Sequence, residues 1–163
     1  MLILKLDMIT TRRIDIGDSY YYCLSNFSAH QVLYKGRLYS TSEHAYQASK
    51  FLNSKKEFAD RVWWDILNSK SPYEAKKIAH SNRGSYRHEW NFKKFKVFTM
   101  RKILLTKVEQ HEDVREVLLV TGDKEIIEIT NLDLFWGQSE SGLGINWLGK
   151  VWMGTRDDIR NKS

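Results

Sequence analysis

The chain has 163 residues, of which 42% are hydrophobic and 28% are charged, so its composition is that of an ordinary globular protein. Its length is enough for one domain with a sizeable core. The formal net charge of +6 suits a phosphate-bearing partner. Cys23 is the single cysteine, which excludes an internal disulfide and indicates a reducing compartment, so we expect a cytoplasmic protein. No apolar run approaches the roughly 20 residues that cross a bilayer, so no membrane partner is expected.

The N-terminal third predicts most of the β-structure. Residues 2–9 alternate partly and favour a strand over a signal peptide, residues 15–19 are typical of a turn, and the aromatic run 20–27 is β-prone. Residues 32–34 and 37–39 predict a hairpin around Lys35-Gly36, where the glycine supplies a positive φ.

Helical patterns dominate the remainder of the chain. A helix is predicted from Ser42 to about Asn53, and others at about 55–67, 71–80, 90–108 and 112–120, with a last one starting near Asn146. Ser71-Pro72 is a strong start signal, because Ser caps the helix and Pro fits its first turn. Residues 124–130 favour a short strand, and residues 131–145 form a glycine-containing loop. The pattern predicts a mainly helical α+β single domain over residues 1–163 with a small N-terminal sheet.

The helix that opens at Ser42 carries a polar stripe. Ser42 is predicted to be its N-cap, and helical spacing places Glu43, Gln47 and Lys50 on one face. The structural alternative is a solvated surface with ordinary i,i+4 pairing. An acid, an amide and an amine beside the aromatic ring of Tyr46 favour a chemical site instead.

Other motifs are weaker, and each has a structural alternative. Gly142-x-Gly144 before Asn146 resembles an anion cradle at a helix N-terminus, although glycine-rich surface loops are common. Asp133 and Trp136 suit a sugar- or base-binding edge, or a loop anchored by the tryptophan. Residues 83–107 hold eight Lys/Arg and one acid, which indicates a basic rim or a solvated helix face with snorkelling cations. Histidine and cysteine spacings do not match a zinc site, so no metal is predicted.

Taken in order, these segments resemble the YbiA/NADAR family over about residues 20–160. The matching motifs are Leu24-Ser25-Asn26-Phe27, Gly36-x-x-Tyr39, Ser42-Glu43-His44-x-Tyr46-Gln47-Ala48-x-Lys50-Phe51, Ser71-Pro72-x-Glu74-Ala75-Lys76, Arg87-x-x-Trp90, Leu118-Leu119-x-Thr121-Gly122-Asp123, Asp133-x-Phe135-Trp136-Gly137 and Gly144-x-Asn146-x-Leu148-Gly149. The chain departs from the pattern at Asn91, where the family usually has an acid, and in residues 138–141. Residues 1–14 lie outside the resemblance.

The resemblance implies a small, mainly helical α+β fold and hydrolysis of N-glycosidic bonds without a cofactor. It implies Glu43 as general acid/base, and Lys50 as either a cation near the substrate or an amine that forms a transient imine. Asp133 would bind ribose hydroxyls or position water, and Trp136 would stack on the base or sugar. The other implied substrate contacts are Asn26, Phe27, His44, Gln47, Trp90, Gly137, Gly144, Asn146 and Gly149, of which Gly144, Asn146 and Gly149 would approach phosphate.

The resemblance leaves three substrates or roles open. The first is ADP-ribose attached to guanine in DNA or RNA, which the positive charge favours. The second is a ribosylaminopyrimidine intermediate of riboflavin synthesis. The third is a non-catalytic module that binds ADP-ribose or nucleic acid.

Overall fold

The computed structural model describes residues 13–162, whose backbone groups into two units of packing. The predicted strand at residues 2–9 lies outside the described residues. One unit, which we call the helical unit, is Asn26–Val114, and the other, the strand–helix unit, comprises residues 13–25 and 115–162. The expected mainly helical α+β class is confirmed. Within the described residues, no helix is long and apolar enough to cross a bilayer.

The helical unit begins with a hairpin of β2 (Val32–Tyr34) and β3 (Arg37–Tyr39), after a first strand that belongs to the other unit. Lys35 and Gly36 both have positive φ, which is the backbone of the tight two-residue turn that the sequence predicts. Four helices follow: α1 (Ser42–Ser49), α2 (Ala59–Leu67), α3 (Pro72–Ser81) and α4 (Lys93–Gln110). Short 3₁₀ turns at Arg83–Ser85 and His88–Asn91 connect α3 to α4.

Helix α1 is the centre of the helical unit. It packs against α2, α3 and α4, and also against both strands of the hairpin. All eight of its residues are buried, including the polar ones. A short helix enclosed in this way presents no solvated face, so its polar side chains need partners inside the unit.

The strand–helix unit pairs β1 (Arg13–Asp15) with β4 (Glu125–Ile127) in parallel, with Ile14 opposite Ile126. Helix α5 (Glu112–Val120) starts in the helical unit and ends in this one, and α6 (Trp147–Lys162) packs against β4. Trp152 is fully buried, and its indole N–H donates to the Leu24 carbonyl at 2.9 Å. Isolated bridges join Ile129 to Gln138 and Gln138 to Gly144, which ties the loop before α6 together.

Several predicted element boundaries are wrong; α1, for example, ends at Ser49 instead of about Asn53. The aromatic run 20–27 forms turns and a 3₁₀ helix at Tyr22–Leu24 instead of a strand. Helix α2 starts at Ala59 instead of residue 55, because Phe58 adopts a left-handed backbone conformation. The long helix starts at Lys93 instead of Trp90, since Phe92 is extended and separates it from the preceding 3₁₀ turn.

Two glycines of α6 give a matched test of how closely this helix approaches β4. A Cβ added at Gly149 would overlap the Ile126 carbonyl oxygen and the Asn146 side chain, whereas a Cβ at Gly154 would meet nothing within 4 Å. We expect Gly154→Ala to stabilise the protein by about 0.5–1 kcal/mol, because alanine is the better helix former. Gly149→Ala should destabilise it by about 2 kcal/mol or more, because the helix must shift away from the strand. Denaturant unfolding measures both changes, and equal effects of the two substitutions would contradict this packing.

Candidate active site

The N-terminus of α1 is held by two hydrogen bonds. Thr41, not the predicted Ser42, is the N-cap, because its backbone is extended and its hydroxyl accepts from the His44 N–H at 3.3 Å. The Glu43 N–H donates to the Asn26 carbonyl at 3.0 Å. The loop that contains Asn26 is therefore fixed against the first turn of α1, next to the acid of the polar stripe.

The polar stripe of α1 faces the interior. Glu43, Gln47 and Lys50 are 6%, 2% and 5% exposed, so the alternative of a solvated surface stripe is wrong. The Gln47 side-chain amide donates to the Glu43 carboxylate at 2.6 Å, which fixes the position of the carboxylate. A carboxylate with this degree of burial suits a defined chemical task better than solubility.

Lys50 sits at the end of the stripe in an aromatic cage formed by Tyr46, Tyr86 and Trp90. Its Nζ atom lies 5.4, 5.0 and 5.8 Å from the centroids of those three rings, respectively. It donates to the Tyr86 hydroxyl at 3.5 Å, and that hydroxyl donates to the Ala79 carbonyl at 3.1 Å. The cage removes water from the amine while the ring faces still favour its cationic form.

Burial lowers the pKa of Lys50 from its ordinary value of 10.5 to about 8, against the opposing effect of the Glu43 carboxylate. Lys76, Lys96 and Arg83 lower this pKa further, as positive charges near another positive charge do. A lysine with a pKa of about 8 has an appreciable neutral fraction at neutral pH, so it can act as a nucleophile or exchange a proton.

Trp90 is 5% exposed and forms one wall of this cage, with its ring centroid 5.2 Å from that of Tyr46. The acid that precedes it, Glu89, is paired with Arg87 at 2.8 Å. This hydrogen bond lowers the pKa of Glu89 to about 2. Position 91, where the family usually has an acid, is Asn in this chain. The acid next to Trp90 is therefore Glu89, which is ionised and paired with Arg87.

Several buried polar atoms around Glu43 lack a hydrogen-bond partner within the part of the chain that the structure describes. They are the Asn26 Oδ1, Ser42 Oγ and Gln47 Oε1 atoms. The other end of the Asn26 amide donates to the Met100 sulfur at 3.4 Å, which fixes the amide in place. Buried unsatisfied polar atoms are costly unless a ligand or water meets them, so these three are candidates for the polar lining of a site. Ser42, predicted as a cap, joins the candidate site in this way.

His44 and Phe27 are the remaining predicted contacts in the helical unit. One ring nitrogen of His44 bonds to Thr41 Oγ1 at 2.8 Å and the other to the Ser69 carbonyl at 3.2 Å. Burial lowers the pKa of His44, partly offset by that carbonyl. His44 therefore stabilises the start of α1 through hydrogen bonds inside the unit. Phe27 is half-buried beside Asn26, and its contact with substrate stays a prediction.

The basic segment 83–107 exposes less charge than its sequence suggests. Lys107 is fully buried and donates to the Ser28 hydroxyl at 2.8 Å. Arg87 is mostly buried and paired with Glu89. Neither the basic rim nor the solvated helix face describes these two residues, because both have polar partners inside the unit.

In the strand–helix unit, the loop of Asp133 and Trp136 is held by its own hydrogen bonds. The Asp133 carboxylate accepts from the N–H groups of Phe135 and Trp136 at 3.2 and 3.1 Å. Trp136 is half-buried, and its ring lies edge-on to that of Phe135 at 4.9 Å. These contacts use one carboxylate oxygen of Asp133 and only part of the Trp136 indole. The substrate roles of both residues stay predictions.

The predicted anion cradle at the start of α6 rests on N–H groups that the structure shows to be engaged. The N–H groups of residues 145–148 donate to the carbonyls of Leu134, Gly137, Phe135 and Trp136, in that order. The expectation of unpaired N–H groups at this helix N-terminus is therefore wrong. Phosphate contacts by Gly144, Asn146 and Gly149 stay predictions without that support.

Close packing explains the glycines within this unit's loop. A Cβ at Gly137 would overlap Thr130 and Glu128, and one at Gly144 would lie 2.5 Å from the Gly137 carbonyl oxygen. The Asn146 side chain accepts from the Glu128 N–H and donates to the Ile126 carbonyl, at 3.1 and 2.9 Å. The close backbone approach expected at Gly149 exists, but its partner is the β4 backbone.

Comparison with known proteins identifies the relatives of this chain. The NADAR domain family model matches residues 15–160. The N-glycosidase Npun_R5314 of Nostoc punctiforme is 37% identical over 142 residues, which cover 86% of this chain and 87% of the relative. The N-glycosidase YbiA of Escherichia coli K12 is 36% identical over 145 residues, covering 89% of this chain and 82% of YbiA.

The fold and a more distant relative complete the comparison. The NMR structure of E. coli YbiA superimposes with a TM-score of 0.78 at 31% identity, covering 92% of this chain and 86% of that one. A Vibrio vulnificus protein named for riboflavin biosynthesis is 31% identical over 137 residues, which are 84% of this chain but 35% of that relative.

The lowered pKa of Lys50 predicts a pH-dependent contribution to stability. The unfolded chain keeps this proton up to about pH 10.5 and the folded chain loses it near 8, so the folded state gains stability as pH rises between these values. Relative to Lys50→Met, wild-type stability should rise by about 2 kcal/mol from pH 7 to 9.5. Urea unfolding at several pH values measures the difference, with Lys56→Met as an exposed control. A difference between wild type and Lys50→Met that does not change with pH would contradict the burial of this amine.

Proposed function

This chain belongs to the NADAR family, and on that premise we propose that it hydrolyses the N-glycosidic bond between ribose and a base, removing ADP-ribose from guanine in nucleic acid. The observation that carries the proposal is the buried Glu43–Gln47–Lys50 stripe. It holds a fixed carboxylate and an amine of lowered pKa on one helix. A module that only binds ADP-ribose does not need both groups buried, which favours an enzyme.

Glu43 is proposed to act on the leaving base. Breaking the bond between C1′ of ribose and the base nitrogen leaves the bonding electrons on the base, which must take up a proton. Glu43 first takes a proton from the Lys50 ammonium, which leaves that amine neutral, and then donates this proton to the base. The Gln47 amide, 2.6 Å from the carboxylate, keeps Glu43 directed towards the bond.

Lys50 is proposed to attack C1′ as a neutral amine. The new C–N bond forms as the base departs, and the amine's proton passes to the Glu43 carboxylate. Glu43 then protonates the ring oxygen, so that the sugar opens to an imine, and water adds to the imine and releases the sugar and the free amine. The ring faces of Tyr46, Tyr86 and Trp90 would stabilise the positive charge of the protonated imine.

The unpartnered polar atoms next to Glu43 are proposed to bind the sugar. Asn26 Oδ1 and Gln47 Oε1 are buried acceptors for ribose hydroxyl groups, and the Ser42 hydroxyl is a further donor or acceptor. A ligand that satisfies these atoms gains their hydrogen bonds without further ordering of the protein, since the side chains are already fixed. The roles of Asp133 and Trp136, which belong to the strand–helix unit, stay predictions.

A ribosylaminopyrimidine phosphate is the second candidate substrate. The similarity to the riboflavin-named protein of Vibrio vulnificus supports it, although this chain covers only about a third of that relative. The same Glu43 and Lys50 chemistry would cleave either substrate. Net charge favours the nucleic-acid substrate, because +6 attracts a polyanion more than a monophosphate.

Glu43→Gln tests the acid–base assignment. The substitution is nearly isosteric, and rotation of the Gln47 amide restores the hydrogen bond between positions 43 and 47, so the fold should be retained. Turnover should fall by about 10²–10⁴ because no proton can be donated to the base. Glu74→Gln is the control, since the Glu74 carboxylate accepts from the Lys70 N–H just before its own helix. Near-wild-type turnover by a folded Glu43→Gln protein would contradict the assignment.

The choice of substrate is tested by salt. We expect kcat/KM to be higher for an oligonucleotide carrying ADP-ribosylated guanine than for ribosylaminopyrimidine phosphate, and this advantage to shrink between about 50 and 200 mM salt. Release of free sugar, followed by mass spectrometry, measures both reactions. An enzyme that prefers the small molecule and is insensitive to salt would refute the nucleic-acid substrate while leaving the glycosidase activity in place.

A further inference from the structure

The outward face of α3 forms a shallow cleft that is separate from the polar stripe of α1. The cleft has a volume of about 330 Å³ and is lined by Tyr73, Lys76, Lys77, His80 and Ser81. These positions are spaced i, i+3, i+4, i+7 and i+8, so they lie on one side of the helix. The lining is polar and aromatic, which differs from the apolar face by which Ala75 and Ala79 pack inward.

The charge of this cleft is entirely positive. Lys76 and Lys77 lie side by side within it, and no acidic residue lines it. The acid of the same helix, Glu74, is directed towards the helix start, where its carboxylate accepts from Lys70 N at 2.6 Å. An anion in the cleft would therefore meet two lysines and the His80 ring.

Tyr73 provides a ring at one end of this cleft. It is 70% exposed, more than the other aromatic side chains of residues 13–162. Exposed aromatic rings beside cations are the usual surface on which unpaired bases stack. An inorganic anion or an acidic peptide would use the lysines but would have no need for the ring.

The cleft lies near the amine that is proposed to react. Lys76 lines the cleft, and its charge also lowers the pKa of Lys50. This effect is smaller than those of burial and of the opposing Glu43 carboxylate. Both the cleft and Lys50 belong to the helical unit. From Tyr73 to His80 the helix rises about 10 Å, so the cleft can run along a short stretch of a single strand.

We propose that the α3 cleft binds the single-stranded nucleic acid next to the modified base, with phosphates on Lys76 and Lys77 and a base stacked on Tyr73. This rests on the proposed function, because it gives the nucleic-acid substrate a place to extend beyond the reacting sugar. The proposal also gives a function to positive charge outside segment 83–107. Within that segment, Arg87 and Lys107 already have polar partners inside the protein.

The test uses an unmodified, fluorescein-labelled 12-nucleotide single strand, so that binding is measured without any glycosidic target. Fluorescence anisotropy should give a salt-dependent Kd for the full-length protein. Lys77→Gln should weaken binding and flatten the slope of log K against log salt by about 0.7, the value for one phosphate contact to a single strand. Tyr73→Ala should weaken binding about tenfold through lost stacking.

Matched controls separate the cleft from general charge and general aromatic content. Lys56→Gln makes the same charge change at an exposed lysine outside α3, and Trp64→Ala removes another exposed ring. Neither should change the Kd by more than about twofold. Equal effects of Lys77→Gln and Lys56→Gln, or equal effects of Tyr73→Ala and Trp64→Ala, would overturn the assignment.

Competitors and a second substrate complete the experiment. The cleft assignment would also be overturned if polyglutamate or inorganic phosphate displaced the strand as well as unlabelled single-stranded DNA does. Duplex DNA that bound as tightly as the single strand would overturn it too. On the wild-type protein, strand binding without release of ADP-ribose would refute the proposed function and leave the cleft assignment standing. Release of ADP-ribose from a modified mononucleoside, together with no strand binding, would refute the cleft assignment and leave the proposed function standing.

Discussion

The burial of the polar face of α1 is the constraint on which the helical unit depends. A helix of eight residues packed against α2, α3, α4 and the hairpin places Glu43, Gln47 and Lys50 where water cannot solvate them. Burying an acid and an amine is unfavourable unless each finds partners. The Gln47 amide donates a hydrogen bond to the Glu43 carboxylate, and the Lys50 amine makes cation–π contacts with the aromatic cage.

This arrangement links stability to function. The interactions that hold the stripe in place satisfy only part of its hydrogen-bonding capacity, because Gln47 Oε1, Ser42 Oγ and Asn26 Oδ1 have no partner among the described residues. In the proposed function, a sugar supplies the hydrogen bonds that folding leaves unmade. The lowered pKa of Lys50 has the same origin, since the desolvation that penalises its charge also makes its neutral amine available.

Sequence reasoning succeeded where local chemistry decides the structure. The Lys35-Gly36 turn and the Ser71 cap follow from backbone preferences of single residues, and both are present. The choice between Thr41 and Ser42 as N-cap was not accessible in this way, because adjacent hydroxyls are equivalent until the entry direction of the chain is known. The α6 cradle was wrong for a similar reason: glycines that admit a phosphate and glycines that admit a neighbouring carbonyl look alike in sequence.

Burial of charge was the least predictable feature. Lys107 and Lys96 lie on the same helix within a basic segment, yet the first is fully buried on Ser28 and the second is half-buried. Periodicity places a side chain on a face but does not say whether that face is covered. The stripe of α1 could be located from spacing, and its burial required knowledge of the three helices and two strands around it.

Reductive trapping tests the central claim most directly. The protein is incubated with an oligonucleotide carrying ADP-ribosylated guanine in the presence of sodium cyanoborohydride, and the digested protein is analysed by mass spectrometry. The imine proposed at Lys50 would be reduced to a stable adduct on the peptide that contains this residue, and Lys50→Arg would give no adduct at position 50. Substrate turnover without any adduct, or an adduct on another lysine that persists in Lys50→Arg, would contradict the account.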